Sequence, residues 1–260
     1  IKHRLVYPTE VRVYQCTSVL WHIELNAKSY TNIFECWRGW NTDMVHRYVK
    51  ALTKIASRYA PSRSLSFNLV HLFKALQLME EKEHVSRSLL CKELSLGEGI
   101  VRTLLKHLKM QGLIKSTKSG TRLTEKGMTI LSGLVSSIPA ETSIPKSSVA
   151  VGKFNYVVLL KQYGFAAIRS GIEQRDAAIK MGASGATTLL FKENKFVIPG
   201  TNYNSLTKEP RIAKLLIEKL NPEDGDVIII GSALEDIRTA ELAAKNAALL
   251  TIVNHDEHAQ

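Results

Sequence analysis

LSLGEGIVRTLLKHLKMQGLIKSTKSGTRLTEKG, residues 94–127, decides how this chain reads. On a wheel of about 100° per residue, Ile100, Val101, Leu104, Leu105 and Leu108 fall in one arc, the periodicity of a helix over residues 98–111. Gly99, Arg102, Thr103, Lys106, His107 and Lys109 fall in the opposite arc, which holds no acid beyond Glu98 at its start. Gly112 ends the helix as a C′ glycine does. Residues 113–116 and 122–124 then read as two short strands around the basic loop TKSGT, residues 117–121, with the glycine a hairpin tip needs. Thr124 of LTEKG is placed to cap another helix.

Two more helices precede this stretch. Phe67 opens the first, Leu69, Val70, Phe73, Leu76 and Leu78 supply its apolar positions, and EEKE at 80–83 stops it. Ser86 is an N-cap for RSLLCKEL, whose Leu89, Leu90 and Leu94 turn inward. Cys91 packs there as a small apolar group, and Ser95-Leu96-Gly97 makes the turn into the third helix. Helix, turn, helix, G-L-I, basic hairpin and helix, in that order, describe a winged helix-turn-helix over residues 44–135. In that reading the third helix enters a major groove of double-stranded DNA with Gly99, Arg102, Thr103, Lys106 and Lys109. An Arg bridges guanine O6 and N7, a Lys reaches phosphate or guanine, and a Thr touches a thymine methyl. Lys115, Lys118 and Arg122 of the wing meet the sugar-phosphate backbone or the minor groove. The plainer alternative is an amphipathic helix with a solvated face.

Charge favours the first reading. The chain has 260 residues and a net charge of +11. Residues 1–43 hold 5 Lys/Arg against 4 Asp/Glu, residues 44–148 hold 17 against 7, and residues 149–260 hold 13 against 13. A solubility charge would spread, whereas a polyanion binder concentrates cations on one segment. Hydrophobic residues make up 45%, enough for two modest cores. No apolar run approaches the ~20 residues of a membrane span, and no signal-peptide pattern is visible, so a cytoplasmic protein without membrane contact is expected. Cys16, Cys36 and Cys91 form no CxxC pair, which argues against a disulfide framework or zinc ribbon.

Residues 1–43 differ from the rest: they hold Trp21, Trp37 and Trp40, and the first Met is Met44. We expect little stable structure before Met44, as for upstream residues outside the native reading frame; a β-rich extension is the alternative. Residues 44–66 read as a basic helix with Val45, Val49, Leu52 and Ile55 on one face and His46, Arg47, Lys50, Lys54 and Arg58 largely off it. It is either a solvated surface helix or an arm for DNA phosphates.

Residues 136–148 accumulate Ser, Pro and Thr and read as a linker. The domain at 149–253 alternates: strand 154–160, helix 173–181, strands 186–191 and 195–198 joined as a hairpin, helix 210–220, strand 226–230, helix 235–248 and strand 249–253. The order β-α-β-β-α-β, with an extra α-β, suits a ferredoxin-like or related sandwich, so the whole chain is expected to be α+β. A polar tail, 254–260, follows.

LGEGIVRTLLKHLKMQGLIKS with LTEKG, and RDAAIKMGASGATTLLF further on, resemble archaeal predicted winged-helix transcriptional regulators. In these an N-terminal winged helix joins a C-terminal domain of unknown function. The resemblance runs from about Phe67 to the C-terminus. It implies DNA binding and regulation, and supplies no effector.

The glycine turns GASGA (182–186) and GSALED (231–236) offer sites for a small anionic effector: Ser184 in one, Gly231 and Ser232 at a helix N-terminus in the other. Neither is a P-loop or GxGxxG, and most glycine turns are only turns. Arg169, Arg175 and Asp176 can clamp an anion or form surface ion pairs. His255, Asp256, Glu257 and His258 have metal-ligand chemistry but lie in the tail, and neither metal nor cofactor is expected. No catalytic set is present, so the leading expectation is a non-enzymatic regulator acting as a homodimer. The alternatives are an enzyme or phosphometabolite binder that uses the C-terminal domain, and a protein-interaction module.

Overall fold

The structure, a computed structural model, describes residues 47–56, 65–161, 168 and 170–255. The expectations for residues 1–43, for Arg58 and Arg169, and for Asp256, Glu257 and His258 lie outside the described residues.

The N-terminal part is a winged helix. Helix α1, described over 47–56, buries Val49, Leu52 and Ile55. It precedes α2 (Leu69–Glu81), α3 (Arg87–Leu94), α4 (Glu98–Met110), the hairpin β1 (Ile114–Thr117) and β2 (Gly120–Leu123), and α5 (Glu125–Ser137). The punctuation works as its chemistry requires. Ser86 Oγ accepts from the Leu89 amide at 3.2 Å. Gly112, at φ +70°, closes α4 with two bonds, Leu113 N–H to the Leu108 carbonyl (3.0 Å) and Gly112 N–H to that of Lys109 (2.9 Å). This is the Schellman arrangement. Thr124 Oγ1 accepts from Gly127 N–H at 3.1 Å. Gly127 itself is required, because a Cβ there would lie 2.1 Å from the Leu113 carbonyl oxygen. Val85 exchanges two 2.9 Å backbone bonds with Thr121, adding a single-residue third strand to the wing.

The C-terminal part is one sheet in the order β3-β4-β7-β5-β6, with every neighbouring pair antiparallel. Its members are β3 (Ala140–Ile144), β4 (Phe154–Leu160), β5 (Gly185–Lys192), β6 (Lys195–Val197) and β7 (Val227–Ala233). Three described helices, α6 (Ile172–Ile179), α7 (Pro210–Leu220) and α8 (Ile237–His255), flank it. Alternation along the strands divides the core, as a period of two must. Val158, Leu160, Val227 and Ile229 pack with Leu242, Ala244, Ala248, Leu249 and Ile252 of α8. Val157, Leu159, Ile228 and Ile230 pack with Ile212, Leu216 and Leu220 of α7.

The α+β class holds, and three finer expectations are corrected. First, α7 covers the face opposite α8, whereas a ferredoxin-like sandwich stacks its helices on one face. The strand that follows α7 also inserts between β4 and β5. Second, residues 136–148 are not a linker. They contain the end of α5 and β3, which pairs with β4 from Ala140↔Leu159 to Ile144↔Asn155. Pro139 and Pro145 flank this edge strand, where their missing N–H groups do not break a ladder. Third, residues 249–253 continue α8. The Ala-rich run before them contains no breaker, and Leu249 and Ile252 are buried at helical spacing. Thr251 Oγ1 bonds back to the Ala247 carbonyl at 2.8 Å, the local bond that lets a β-branched residue sit in a helix.

The winged helix and the sheet domain share one core that runs from α2 to α8. Lys74 of α2 and Lys245 of α8 are both buried there. Glu241 bridges them, at 2.7 Å to each ammonium. Lys245 also reaches Glu141 of β3 at 2.9 Å and Gln77 of α2 at 2.8 Å. Burial alone would raise the Glu241 carboxyl, but Lys245 and Lys74 outweigh it and hold it below the usual carboxylate range. Arg238 adds a 2.9 Å bond to the Lys92 carbonyl of α3.

Candidate nucleic-acid interface

Helix α4 buries Val101, Leu104 and Leu108 and exposes Gly99, Arg102, Thr103, Lys106 and Lys109. Its polar arc is therefore a solvent-facing stripe on an anchored helix. A Cβ on Gly99 would meet nothing within 4 Å, so no packing inside the chain demands a glycine there. Thr103 Oγ1 donates to the Gly99 carbonyl at 3.0 Å. Arg102 is held by Glu98 at 3.1 Å, and Arg87 of α3 reaches the same carboxylate oxygen at 3.7 Å. All three side chains are more than half exposed. Such pairs contribute roughly 0.3–0.5 kcal/mol, little enough for a phosphate or base to displace Glu98. The helix wheel alone does not single out Arg87; its place one residue past the Ser86 cap was the available signal.

His107 departs from the wheel. Helical periodicity puts it on the polar arc, yet it is buried. Its Nδ1 lies 3.2 Å from the Ile55 carbonyl of α1, and its ring meets Phe67 edge-on at 5.5 Å between centroids. A carbonyl only accepts, so Nδ1 carries the proton. The residue sits at the border of the polar arc, where α1 covers the helix.

The wing extends the basic surface. Lys115 and Arg122 are direct partners in the β1–β2 ladder, and Lys118 lies in the turn. Lys115 and Lys118 are exposed and Arg122 is half-buried, with its Nε enclosed and without a hydrogen-bond partner. Like charges directly opposite one another destabilise a hairpin. An anion lying across both would relieve this repulsion.

Among the described residues, the expected effector residues are not assembled into a site. Arg175 makes a double contact with its neighbour Asp176, at 2.9 and 3.1 Å, and both are about half exposed. This is the surface-pair alternative. Ser184 is exposed, and its N–H bonds the Ser232 carbonyl at 2.8 Å. Gly231 and Ser232 stand in β7 and not at a helix start, which corrects the anion-site expectation. A Cβ on Gly231 would lie 2.3 Å from the Ala240 carbonyl oxygen and 2.7 Å from the Ala244 nitrogen, so its glycine lets α8 approach the sheet. Ser232 is fully buried and bonds Asn155 Oδ1 at 2.8 Å. The N-terminus of α8 is taken by Asp236, whose Oδ1 accepts from the Arg238 and Thr239 amides at 2.7 and 3.0 Å. Among the described residues no group of three or more His, Cys, Asp or Glu is placed to hold a metal. No described helix is long and apolar enough to cross a membrane.

Comparison with known proteins agrees with this division. No curated protein matches the chain. A solved structure titled "Hypothetical protein PH0730 from Pyrococcus horikoshii OT3" is 27% identical over 73% of this chain and all of its own, with a TM-score of 0.59. Residues 69–138 match the model of the CggR N-terminal DNA-binding domain. Residues 151–252 match that of DUF4443, a domain of unknown function. Two family models thus match in tandem, that of a DNA-binding domain followed by that of a domain of unknown function.

Proposed function

We propose that the chain is a transcriptional regulator that binds duplex DNA as a homodimer and catalyses no reaction. Helix α4 lies in the major groove with Arg102, Thr103, Lys106 and Lys109 toward the bases and phosphates, and the wing lies along the backbone with Lys115, Lys118 and Arg122. The observation that carries this reading is the alignment of these cations, on an exposed helix face and an adjoining hairpin, within the domain that matches a DNA-binding family. Two copies read half-sites about 34–36 Å or a multiple apart. Regulation by a small anionic molecule belongs to the C-terminal domain. Such a molecule acts by binding one arrangement of the chain more tightly than another.

The test is selection of binding sites from a random duplex library, followed by titration at several salt concentrations. A two-fold symmetric site and an affinity that falls steeply with salt are expected. Replacing a base-reading Arg costs about 1–3 kcal/mol and relaxes preference at its base pair. If Arg102→Ala with Lys106→Ala binds every duplex as the parent does, α4 is not the reading helix.

A further inference from the structure

Helix α1 lies outside the stretch that matches the DNA-binding family, which begins at residue 69, yet it is built onto that domain. Val49, Leu52 and Ile55 enter the domain core. The Tyr48 ring rests where a side chain on Gly133 of α5 would stand, 2.2 Å from the position of a Cβ. The Ile55 carbonyl takes the bond from His107 of α4. On the α4 wheel His107 stands beside Thr103 and Met110, both exposed. Helix α1 therefore lies along the flank of the exposed α4 face and not behind it.

Arg47, Lys50 and Lys54 are exposed. Spacings of three and four residues put them in one row, roughly one cation per 5.4 Å turn, opposite the buried Val49–Leu52–Ile55 face. Residues 47–56 contain no acid. This row, held beside the exposed face of α4, extends the positive surface of that face, and cations that meet phosphates hold a duplex whatever its sequence.

We infer that α1 is a second DNA-contacting element, a phosphate clamp that binds the duplex backbone beside the groove occupied by α4 through Arg47, Lys50 and Lys54. The inference rests on the proposed function, and it assigns α1 affinity without sequence preference.

The experiment measures binding of the full chain to a random-sequence duplex and to a selected one, as a function of salt. The variants are Arg47→Gln/Lys50→Gln/Lys54→Gln, the charge-preserving Lys50→Arg/Lys54→Arg, and Arg102→Ala/Lys106→Ala. Loss of three phosphate contacts flattens the slope of log affinity against log salt by about 2.7, so that between 50 and 200 mM salt the parent loses about 40-fold more affinity than the triple variant. Base preference stays as in the parent, and the charge-preserving variant keeps the parent slope. An unchanged slope in the triple variant, with the Arg102/Lys106 variant still weakened, overturns the clamp and leaves the proposed function standing. So does a slope lost equally in the charge-preserving variant, since packing rather than charge would then be responsible. If no variant alters binding, both readings fall.

Discussion

Removing Lys245 tests whether the two domains are joined by charge or merely touch. Its side chain is 2% exposed, and its ammonium makes three contacts: Glu241 at 2.7 Å, Gln77 at 2.8 Å and Glu141 at 2.9 Å. These use all three donors. With Lys74 the cluster holds two cations and two carboxylates, so it is neutral. Lys245→Met keeps the stem but leaves Glu241 and Glu141 facing a single cation. Charged hydrogen bonds are worth about 1.5–3 kcal/mol each, and breaking one side of a buried pair costs about 3–5 kcal/mol. A loss of about 4 kcal/mol is therefore expected, read as a lower urea midpoint at constant m and roughly 8–16 °C off Tm. Adding Glu141→Gln restores neutrality, and the second oxygen of Glu141 is already enclosed without a partner. The double variant should then recover about 1 kcal/mol or more relative to the single, a coupling within the range of groups in contact. A single-variant loss below about 1 kcal/mol, or strict additivity in the double, would refute a buried, coupled cluster. The lowered Glu241 carboxyl sets the sign against pH. Its stabilisation is present above the ordinary carboxylate pKa and is lost as pH falls through the folded value.

Three further outcomes follow from single sites. His71 is lowered from 6.5 to about 4, by burial first and then by the Lys74 charge, and its Nδ1 accepts from the Asn68 amide at 3.1 Å. Between pH 6.5 and 4 the unfolded chain takes up a proton that the folded one refuses, so stability falls as pH drops through that window by an amount on the order of 3 kcal/mol and is flat above it. His71→Gln, which keeps an acceptor at this capping position, should flatten the difference in a urea series across that range. Gly231→Ala forces a methyl onto backbone atoms of α8 at 2.3 and 2.7 Å and should cost about 3 kcal/mol. Gly99→Ala, with open space around it, should instead stabilise α4 by about 0.5–1 kcal/mol, and calorimetry on the pair separates the two kinds of glycine.

Local chemistry explains why the winged helix was legible. Ser86, Gly112 and Thr124 each satisfy backbone groups within a few residues of themselves, so their meaning does not depend on distant parts of the chain. The same holds for α7, which starts at Pro210, and for the β5–β6 turn, where Glu193 and Asn194 take φ of 50° and 59°. Residues 249–253 misled because a buried β-branched run has the same composition in a strand and in a helix. There the uninterrupted helix upstream decides. Strand β3 was hidden for a related reason, since a short edge strand between prolines has the composition of a loop.

The placement of Gly231 and Ser232 escapes the sequence for a different reason. GSALED has the composition of a turn at a helix start, but β7 runs on through Ala233 and the helix waits for Asp236. A shift of a few residues converts a phosphate cradle into a packing contact, and no local signal fixes boundaries that closely. The domain junction was illegible in principle. Lys74, Glu141, Glu241 and Lys245 look like surface charges, and only the fold brings residues 167 positions apart to 2.7 Å. It follows that α2 cannot leave α8 without exposing or stranding ions that are neutral only together. A change in the C-terminal domain that alters this cluster is therefore met first by α2, whose buried residues belong to the same core as those of α4, and the cluster is a physical link between the winged helix and the sheet domain.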